Sequence, residues 1–338
     1  MVEVLGKRFG PIGFGLMGFS DSSGVLGFTW RPNPPPMEDA IAALKVAADR
    51  GLTLWNGGEF YGTPEYNSMT LLKSYFEKYP EDADKITIII KGGVDVKTLK
   101  PDGSPEGIRR SADNILAQLG GKKKLDVFGI ARRDVNTDFQ ETLSILKKEY
   151  VDTGKIGGVA LSECSVKTIE EAVKVLPIQS AEVELSLFSP DILNNGVAAA
   201  LAKYNIPVVA YSPLGRGMLT GRFKVADDFK GRGFAAFFPR FQGDAFAHNY
   251  KLVQTLEDLA AKKSCTASQL AIAWTVAVGR QPGQPAVIPI PGASKASQVE
   301  ENAKFVELSD DEFNNITELV NSFETAGRRY PDGVPMEI

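Results

Sequence analysis

The chain has 338 residues, of which 43% are hydrophobic and 24% are charged, which is ordinary for a globular protein. A formal net charge of −4 offers no basic excess that would attract nucleic acid or anionic lipid, so the charge favours small-molecule or protein partners. The only two cysteines, Cys164 and Cys265, lie far apart and outside any CxxC pair, which favours a reducing compartment without a disulfide framework.

The N-terminal segment MVEVLGKRFG lacks the long apolar core of a signal peptide. No apolar run approaches the roughly 18 residues that a membrane span needs. We therefore expect a cytoplasmic protein, with the nucleus left open, that has no membrane partner.

Short apolar runs rich in β-branched residues alternate along the chain with longer segments of helical periodicity. Runs that are hydrophobic throughout are typical of parallel strands buried on both faces. The predicted strands are Ile12–Gly15, Leu52–Asn56, Ile86–Lys91, Leu125–Ile130, Gly157–Leu161, Ser180–Leu185, Pro207–Tyr211 and Ala286–Ile290. The predicted helices are Met37–Arg50, Ser104–Leu119, Asp138–Glu149, Val166–Val175, Ile192–Tyr204, Thr266–Val278, Ser294–Ala303 and Asp310–Ser322.

This alternation predicts an α/β fold, specifically a (β/α)8 TIM barrel, with a doubly wound parallel sheet as the alternative. We expect a single domain over residues 1–338, because no repeat or linker divides the chain. A segment of weak periodicity at about 215–244 is predicted to be a long loop, and a tail of about 323–338 follows the last helix. Loops of this length are usually functional, although a surface insertion without a role is the alternative.

The string GFGLMG at Gly13–Gly18 matches the G-x-G-x-x-G fingerprint of dinucleotide-binding folds. That fingerprint requires the glycines to open a helix, and the residues that follow contain breakers and no helical pattern. We assign these glycines to the end of the first strand, where the backbone must approach another group closely.

Chemistry in a barrel gathers at the carboxyl ends of the strands, where Tyr61 follows the second strand and Lys91 closes the third. A lysine ending an apolar strand must have its charge compensated or lower its pKa, unless it extends out to solvent. A nearby ammonium makes a phenol, with an ordinary pKa of about 10, a better proton donor. Such a pair suits protonation of a carbonyl oxygen while hydride reaches the carbon. Other polar residues at strand ends are Asn56, Glu59, Arg132, Arg133, Ser162, Glu163, Glu184, Ser186 and Ser212.

Tyr61-Gly62, Lys91, AYSPLGRGMLTG at 210–221 and IPIPGAS…EEN at 288–302 together resemble the aldo-keto reductases over nearly the whole chain. The resemblance implies a (β/α)8 barrel that binds NADPH without a Rossmann fold and reduces carbonyls with a Tyr-Lys-Asp-His tetrad. It implies that Tyr61 donates the proton and that Lys91 lowers the pKa of Tyr61. No metal is expected.

The same resemblance implies where NADPH binds. Tyr211 would stack on the nicotinamide. Ser212, Leu214 and Arg216 would lie along the pyrophosphate, and Ser294, Lys295, Gln298, Glu301 and Asn302 near the adenosine. The other candidates are Ser162 and two glutamates, Glu163 and Glu182, which stand where the family has the Asn and Gln that hold the carboxamide. Lys295, with Arg328 or Arg329 of the tail, is expected at the 2′-phosphate, since Gln298 carries no charge.

The chain departs from the tetrad at two positions. Asn56 replaces the aspartate, and in FGIARRD Ala131 replaces the histidine. The single histidine, His248, is predicted to be a loop residue without a catalytic role. Arg132 could supply the missing donor, with a solvated rim charge as the alternative. Without the aspartate, we expect Asn56 to accept a hydrogen bond and Lys91 to be poised by Tyr61 rather than by a salt bridge.

Several strings, namely WNGGEFYG, IIIKGG, GGVALSE, VELSLFSPDILNNG and YSPLGRGMLTG, together with the missing histidine, resemble the fungal pyridoxal reductases. This resemblance implies reduction of pyridoxal to pyridoxine with NADPH in vitamin B6 metabolism. The phenolic hydroxyl of pyridoxal could polarise its own aldehyde in place of the histidine. The alternatives are a broad-specificity aldehyde or ketone reductase, and a slow-turnover NADPH-binding sensor resembling potassium-channel β-subunits. We expect a monomer or weak homo-oligomer.

Overall fold

The computed structural model describes residues 2–19, 34–230 and 236–331. The strands are β1 (Glu3–Val4), β2 (Lys7–Arg8), β3 (Phe14–Gly15), β4 (Leu54–Gly58), β5 (Thr87–Gly92), β6 (Leu125–Ile130), β7 (Ile156–Ser162), β8 (Ile178–Glu184), β9 (Val208–Tyr211) and β10 (Val287–Pro289). The α-helices are α1 (Met37–Asp49), α2 (Ser68–Lys78), α3 (Pro105–Leu119), α4 (Phe139–Ile145), α5 (Val166–Ala172), α6 (Val197–Lys203), α7 (Gly243–Lys262), α8 (Ala267–Val278), α9 (Ala296–Ala303) and α10 (Asp310–Ser322).

The strands β3 to β10 form one eight-stranded parallel sheet in chain order. The sheet closes on itself, because the amide of Gly13 donates to the carbonyl of Pro289 at 2.9 Å and Gly15 bridges Gly292. At least one helix lies between each strand and the next. This confirms the (β/α)8 barrel as a single-domain fold and excludes the doubly wound sheet.

The glycines of GFGLMG lie at this closing seam. A Cβ on Gly13 would lie 2.8 Å from the carbonyl oxygen of Leu54, and one on Gly15 would lie 2.9 Å from that of Ile290. The seam therefore requires glycine for close backbone approach, as predicted, and the string opens no helix.

The eight predicted strands are present with bounds shifted by at most a few residues, but two helices were missed. The start of α2 is marked by a capping box between Asn67 and Thr70, not by the glutamate or glutamine that usually signals one. The helix α7 starts at Gly243, inside the predicted loop, with no side-chain cap. The first start therefore carries only part of the usual sequence signal, the N-cap asparagine, and the second carries none.

The segment expected as a long loop is packed rather than free. It forms short 3-10 turns at Gly215–Thr220, Ala226–Phe229 and Pro239–Phe241, while residues 231–235 lie outside the described chain. The buried rings of Phe229 and Phe241 stack at 4.6 Å. The segment thus has an aromatic core of its own. Of the predicted tail, 332–338 also lie outside the described residues.

The barrel interior is layered. An apolar cluster, formed by Leu54, Ile89, Val127, Ala160, Val209 and Ile288 with others, is closed from below by Val2, Val4 and Phe9 of the N-terminal hairpin β1–β2. Alternate residues of a strand face the same side, so the layer above comes two residues later on each strand. That layer contains Asn56, Lys91, Ser162, Glu182 and Tyr211, which places polar side chains at the carboxyl mouth. Among the described residues, no helix is long and apolar enough to cross a membrane.

Candidate active site

Tyr61 and Lys91 meet at the barrel mouth. The Nζ atom of Lys91 lies 4.9 Å from the centroid of the Tyr61 ring, and Lys91 is only 3% exposed. Two glycines make this possible. A Cβ on Gly58 would lie 3.2 Å from the Tyr61 ring, and one on Gly129 would lie 3.2 Å from Cγ of Lys91. These glycines, one at the end of β4 and one in β6, thus leave room for the tyrosine to lie over the lysine.

Lys91 also belongs to a closed polar triangle. Its Nζ donates to Oδ1 of Asn56 at 2.6 Å and pairs with Oε2 of Glu182 at 2.8 Å. Nδ2 of Asn56 donates to the same Glu182 oxygen at 2.8 Å. The expectation that Lys91 lacks a salt bridge was therefore wrong. The carboxylate absent at position 56 is supplied by β8, which lies across the barrel from β4.

The triangle sets the protonation of both catalytic candidates. Burial opposes the charge of Lys91, but the Glu182 carboxylate and Tyr61 raise the pKa of Lys91 above its ordinary value. Burial raises the pKa of Tyr61, and the charge of Lys91 and its hydrogen bond only partly offset this. Lys91 acts on Tyr61 in the expected direction, but burial is the larger effect. The pair is thus a protonated phenol beside an ammonium at neutral pH.

Arg132 occupies the space near the missing histidine. The replacing residue Ala131 is buried, and Nη1 of Arg132 donates to the carbonyl of Ala131 at 2.6 Å and to Oγ of Ser162 at 3.3 Å. Burial opposes its charge, yet Tyr211, Tyr330 and glutamates at the mouth raise the pKa of the Arg132 guanidinium. Arg132 therefore faces the barrel mouth rather than bulk solvent.

The C-terminal tail returns to the mouth and is anchored there. Arg329 pairs with Oε2 of Glu163 at 2.6 Å and with Oε2 of Glu184 at 3.5 Å. The Tyr330 hydroxyl lies 2.8 Å from that of Tyr211, which donates to Oε1 of Glu163 at 2.9 Å. The expectation that Arg329 serves a 2′-phosphate was wrong, because two buried carboxylates hold its guanidinium at the mouth. No sequence pattern signals this return.

Arg216 ties the predicted loop to the tail. Its guanidinium carbon lies 4.2 Å from the ring centroid of Phe238 and 4.8 Å from that of Tyr330. Its Nη2 atom is buried without a hydrogen bond, 3.6 Å from Oε2 of Glu184. A buried donor that is paired only at this distance and makes no hydrogen bond suits an anionic oxygen, as the pyrophosphate role implies.

Three of the seven described non-glycine residues with left-handed backbone are expected cofactor residues. Glu163, Ser212 and Arg216 have φ of 48°, 50° and 56°. Such left-handed conformations cost about 1–3 kcal/mol each at non-glycine residues and cluster at ligand-binding sites. Their position on one rim supports a ligand site there.

The expected adenosine end lies at the start of α9. Lys295 is exposed, occupies the N-cap position and provides no side-chain cap for the first amides of that helix. The Ser294 amide donates to Oε1 of Gln298 at 2.9 Å, while Glu301 pairs with Arg222 at 3.0 Å and Asn302 is buried. Uncapped helix amides beside a lysine form a donor set that fits a phosphate.

Two further residues lie away from the mouth. Glu59 accepts from Nδ2 of Asn114 at 2.8 Å and from Ser111, so its carboxylate anchors α3 rather than serving the mouth. His248 lies in α7, not in a loop as predicted, with Nε2 2.8 Å from the carbonyl oxygen of Glu324.

A closed parallel barrel with a tyrosine over a buried lysine at its carboxyl mouth defines an oxidoreductase of the aldo-keto reductase type. Residues 11–321 match the model of the Aldo/keto reductase family, and the chain belongs to that family.

Several of the relatives come from Schizosaccharomyces pombe. "Probable pyridoxal reductase 2" is 38% identical over 98% of this chain and 97% of its own length. The NADP(+) aldo-keto reductase yakc is 33% identical over 97% of this chain and 93% of its own. Among solved structures, a glycerol dehydrogenase from Gluconobacter oxydans superposes with a TM-score of 0.79 at 22% identity, covering 99% of this chain and 98% of that one. At this identity, that likeness speaks for the fold alone.

Proposed function

We propose that the protein is an NADPH-dependent reductase that converts an aldehyde to an alcohol, with pyridoxal as substrate and pyridoxine as product. The observation that carries this proposal is the buried Lys91 ammonium 4.9 Å from the centroid of the Tyr61 ring at the barrel mouth. The relative named as a pyridoxal reductase supports the substrate, and the relative with NADP(+) in its name supports the cofactor. The proposal places the protein in cytoplasmic vitamin B6 metabolism.

Tyr61 is the proton donor in this proposal. Its raised pKa keeps the hydroxyl protonated at neutral pH, and the ammonium of Lys91 stabilises the phenolate that remains after donation. Asn56 accepts a hydrogen bond from Lys91 at 2.6 Å and thereby fixes the direction of the ammonium. General acid catalysis of this kind contributes roughly 10²–10⁴-fold in rate.

NADPH would lie across the mouth and along the rim. Tyr211 would contact the nicotinamide, with Ser162 and Glu163 near its carboxamide. Residues of the rim and of α9 would hold the rest, namely Ser212, Leu214, Arg216, Ser294, Lys295, Gln298, Glu301 and Asn302. The buried Nη2 of Arg216, which makes no hydrogen bond, and the uncapped start of α9 fit the pyrophosphate and the 2′-phosphate. When bound, this cofactor supplies the hydride for the carbonyl carbon.

Substrate choice follows from the missing histidine. Ala131 cannot donate to a carbonyl oxygen, and Arg132 beside it is engaged by the Ala131 carbonyl at 2.6 Å. Pyridoxal carries a phenolic hydroxyl next to its aldehyde, which can form an internal hydrogen bond to the carbonyl oxygen. Arg132 would then donate to the oxygen of that phenol, while the phenolic proton stays in the internal hydrogen bond.

The test is NADPH oxidation, followed by absorbance, with pyridoxal and with benzaldehyde. Pyridoxal should give the higher kcat/KM, and Tyr61→Phe should lower kcat by about a hundredfold or more. Tyr204→Phe, at the end of α6 on the barrel exterior, is the matched control and should leave kcat unchanged. Equal rates with benzaldehyde would indicate a broad-specificity reductase. Failure of every carbonyl to support multiple turnovers would refute the proposal in favour of a sensor.

A further inference from the structure

We propose that Glu182 is the positioning residue for Lys91, holding the ammonium charged and turned toward Tyr61 in place of the carboxylate that is absent at position 56. This inference rests on the proposed reductase function. It differs from the resemblance, which puts Glu182 at the cofactor carboxamide.

The contacts of Glu182 carry the inference. Its Oε2 atom is 2.8 Å from Nζ of Lys91 and also accepts Nδ2 of Asn56 at 2.8 Å. The side chains of Lys91 and Glu182 are only 4% and 7% exposed. Bulk water therefore cannot solvate the charge of Lys91, and burial without a neighbouring carboxylate would favour loss of its proton.

The two departures, Asn56 and Glu182, explain each other. Oδ1 of Asn56 faces Lys91 while its Nδ2 faces Glu182, so the amide needs one cation and one anion beside it. An aspartate at 56 together with Glu182 would place two carboxylates on one buried lysine, and like charges this close disfavour ionisation of both. The triangle thus holds one carboxylate for one ammonium, with the carboxylate moved from β4 to β8.

Loss of the Glu182 charge should shift the titration of the Tyr61–Lys91 pair in one direction. Tyr61 and Lys91 must both hold their protons for reduction, and a neighbouring carboxylate favours the protonated form of each. Removing it lets the first proton leave the Tyr61–Lys91 pair at lower pH, as for any coupled pair. Among the described residues, the other charged or titratable groups beside the cluster are Arg132 after β6, Glu163 after β7, Tyr211 on β9 and Tyr330 in the tail. All of them are retained in every variant, so their influence is common to the comparison.

The experiment compares Glu182→Gln with the double variant Asn56→Asp/Glu182→Gln, which returns the carboxylate to β4. Each protein is measured for kcat against pH with NADPH and pyridoxal, for NADPH affinity by fluorescence, and for ionisation of Lys91 by ¹⁵N NMR without cofactor. Lys91→Met assigns the NMR signal, and circular dichroism on heating verifies folding.

In Glu182→Gln we expect the basic limb of the kcat profile and the Lys91 titration to move to lower pH by about one unit or more. We expect kcat at neutral pH to fall about tenfold or more, with NADPH affinity changed less than about threefold. The double variant should recover both pH values, which a merely structural loss would not allow.

The inference is overturned if Glu182→Gln weakens NADPH binding while the kcat profile and the Lys91 titration stay in place. It is also overturned if the double variant folds but recovers neither pH value. A wild-type protein inactive with every carbonyl would refute the reductase function instead, and the NMR titration would still decide the role of Glu182.

Discussion

Arg329→Met tests how firmly the tail is bound to the barrel mouth. The guanidinium is 9% exposed and lies 2.6 Å from Oε2 of Glu163 and 3.5 Å from Oε2 of Glu184. Methionine keeps most of the side-chain volume and removes the charge. Two carboxylates, both nearly inaccessible to solvent, would then lose their shortest cationic contact.

The expected loss is about 3 kcal/mol in the free energy of unfolding, because removing one partner of a buried ion pair leaves the other charge uncompensated. Tyr211 still donates to Glu163 at 2.9 Å, and Arg216 remains 3.6 Å from Glu184, so the loss should lie at the lower end of the usual range of about 3–5 kcal/mol.

Denaturant unfolding followed by circular dichroism measures the loss. Arg280→Met, which breaks the exposed pair with Glu307, is the matched control and should cost less than about 1 kcal/mol. Glu163→Gln/Arg329→Met should be more stable than Arg329→Met alone, since no unpaired charge remains at Glu163. A loss below about 1 kcal/mol for Arg329→Met would refute the reasoning, because the pair would then behave as an exposed one.

Three further predictions concern the mouth, the cofactor and pH. Gly58→Ala should lower kcat about tenfold, since the new Cβ would lie 3.2 Å from the Tyr61 ring and displace it, whereas Gly10→Ala, whose nearest atom is at 3.7 Å, should leave kcat unchanged. Lys295→Met should raise KM for NADPH about tenfold and leave KM for NADH unchanged. Lys304→Met, at the other end of α9, is the control and should leave both KM values unchanged. Burial raises the pKa of Glu184. At pH values above the ordinary glutamate pKa of about 4.3, the folded state therefore binds more protons than the unfolded state. The free energy of unfolding should then fall as the pH rises through this range. The difference in unfolding free energy between wild type and Glu184→Gln should show this slope, and a difference independent of pH would contradict it.

Much of the fold could be predicted because the barrel strands are continuous apolar runs. Lys91 stood out for the same reason, as a charge closing a strand that is otherwise apolar and buried. The position of Tyr61 followed from glycines, since Gly58 admits the ring at 3.2 Å. Each of these features is local, so a short window of sequence is enough to detect it.

The tail could not be predicted in this way. Arg329 follows the last helix by several residues in a stretch without periodicity, and its place is set by two carboxylates far away in sequence, one just after β7 and one at the end of β8. The helix α7 was hidden for a related reason. It begins at Gly243 without a capping side chain, and its start depends on packing against the aromatic turns before it.

The counterion of Lys91 was not predicted, but unlike the position of the tail it could have been, because a signal for it was present in the sequence. In a closed barrel of eight strands, β4 and β8 stand opposite each other. Asn56 and Glu182 each come two residues after an inward position, so both side chains enter the same layer as Lys91. Counting charge over that layer, rather than position by position along the chain, would have paired Lys91 with Glu182. The loss of an aspartate at one strand of such a barrel therefore predicts a carboxylate on the opposite strand, provided that the lysine stays buried and charged.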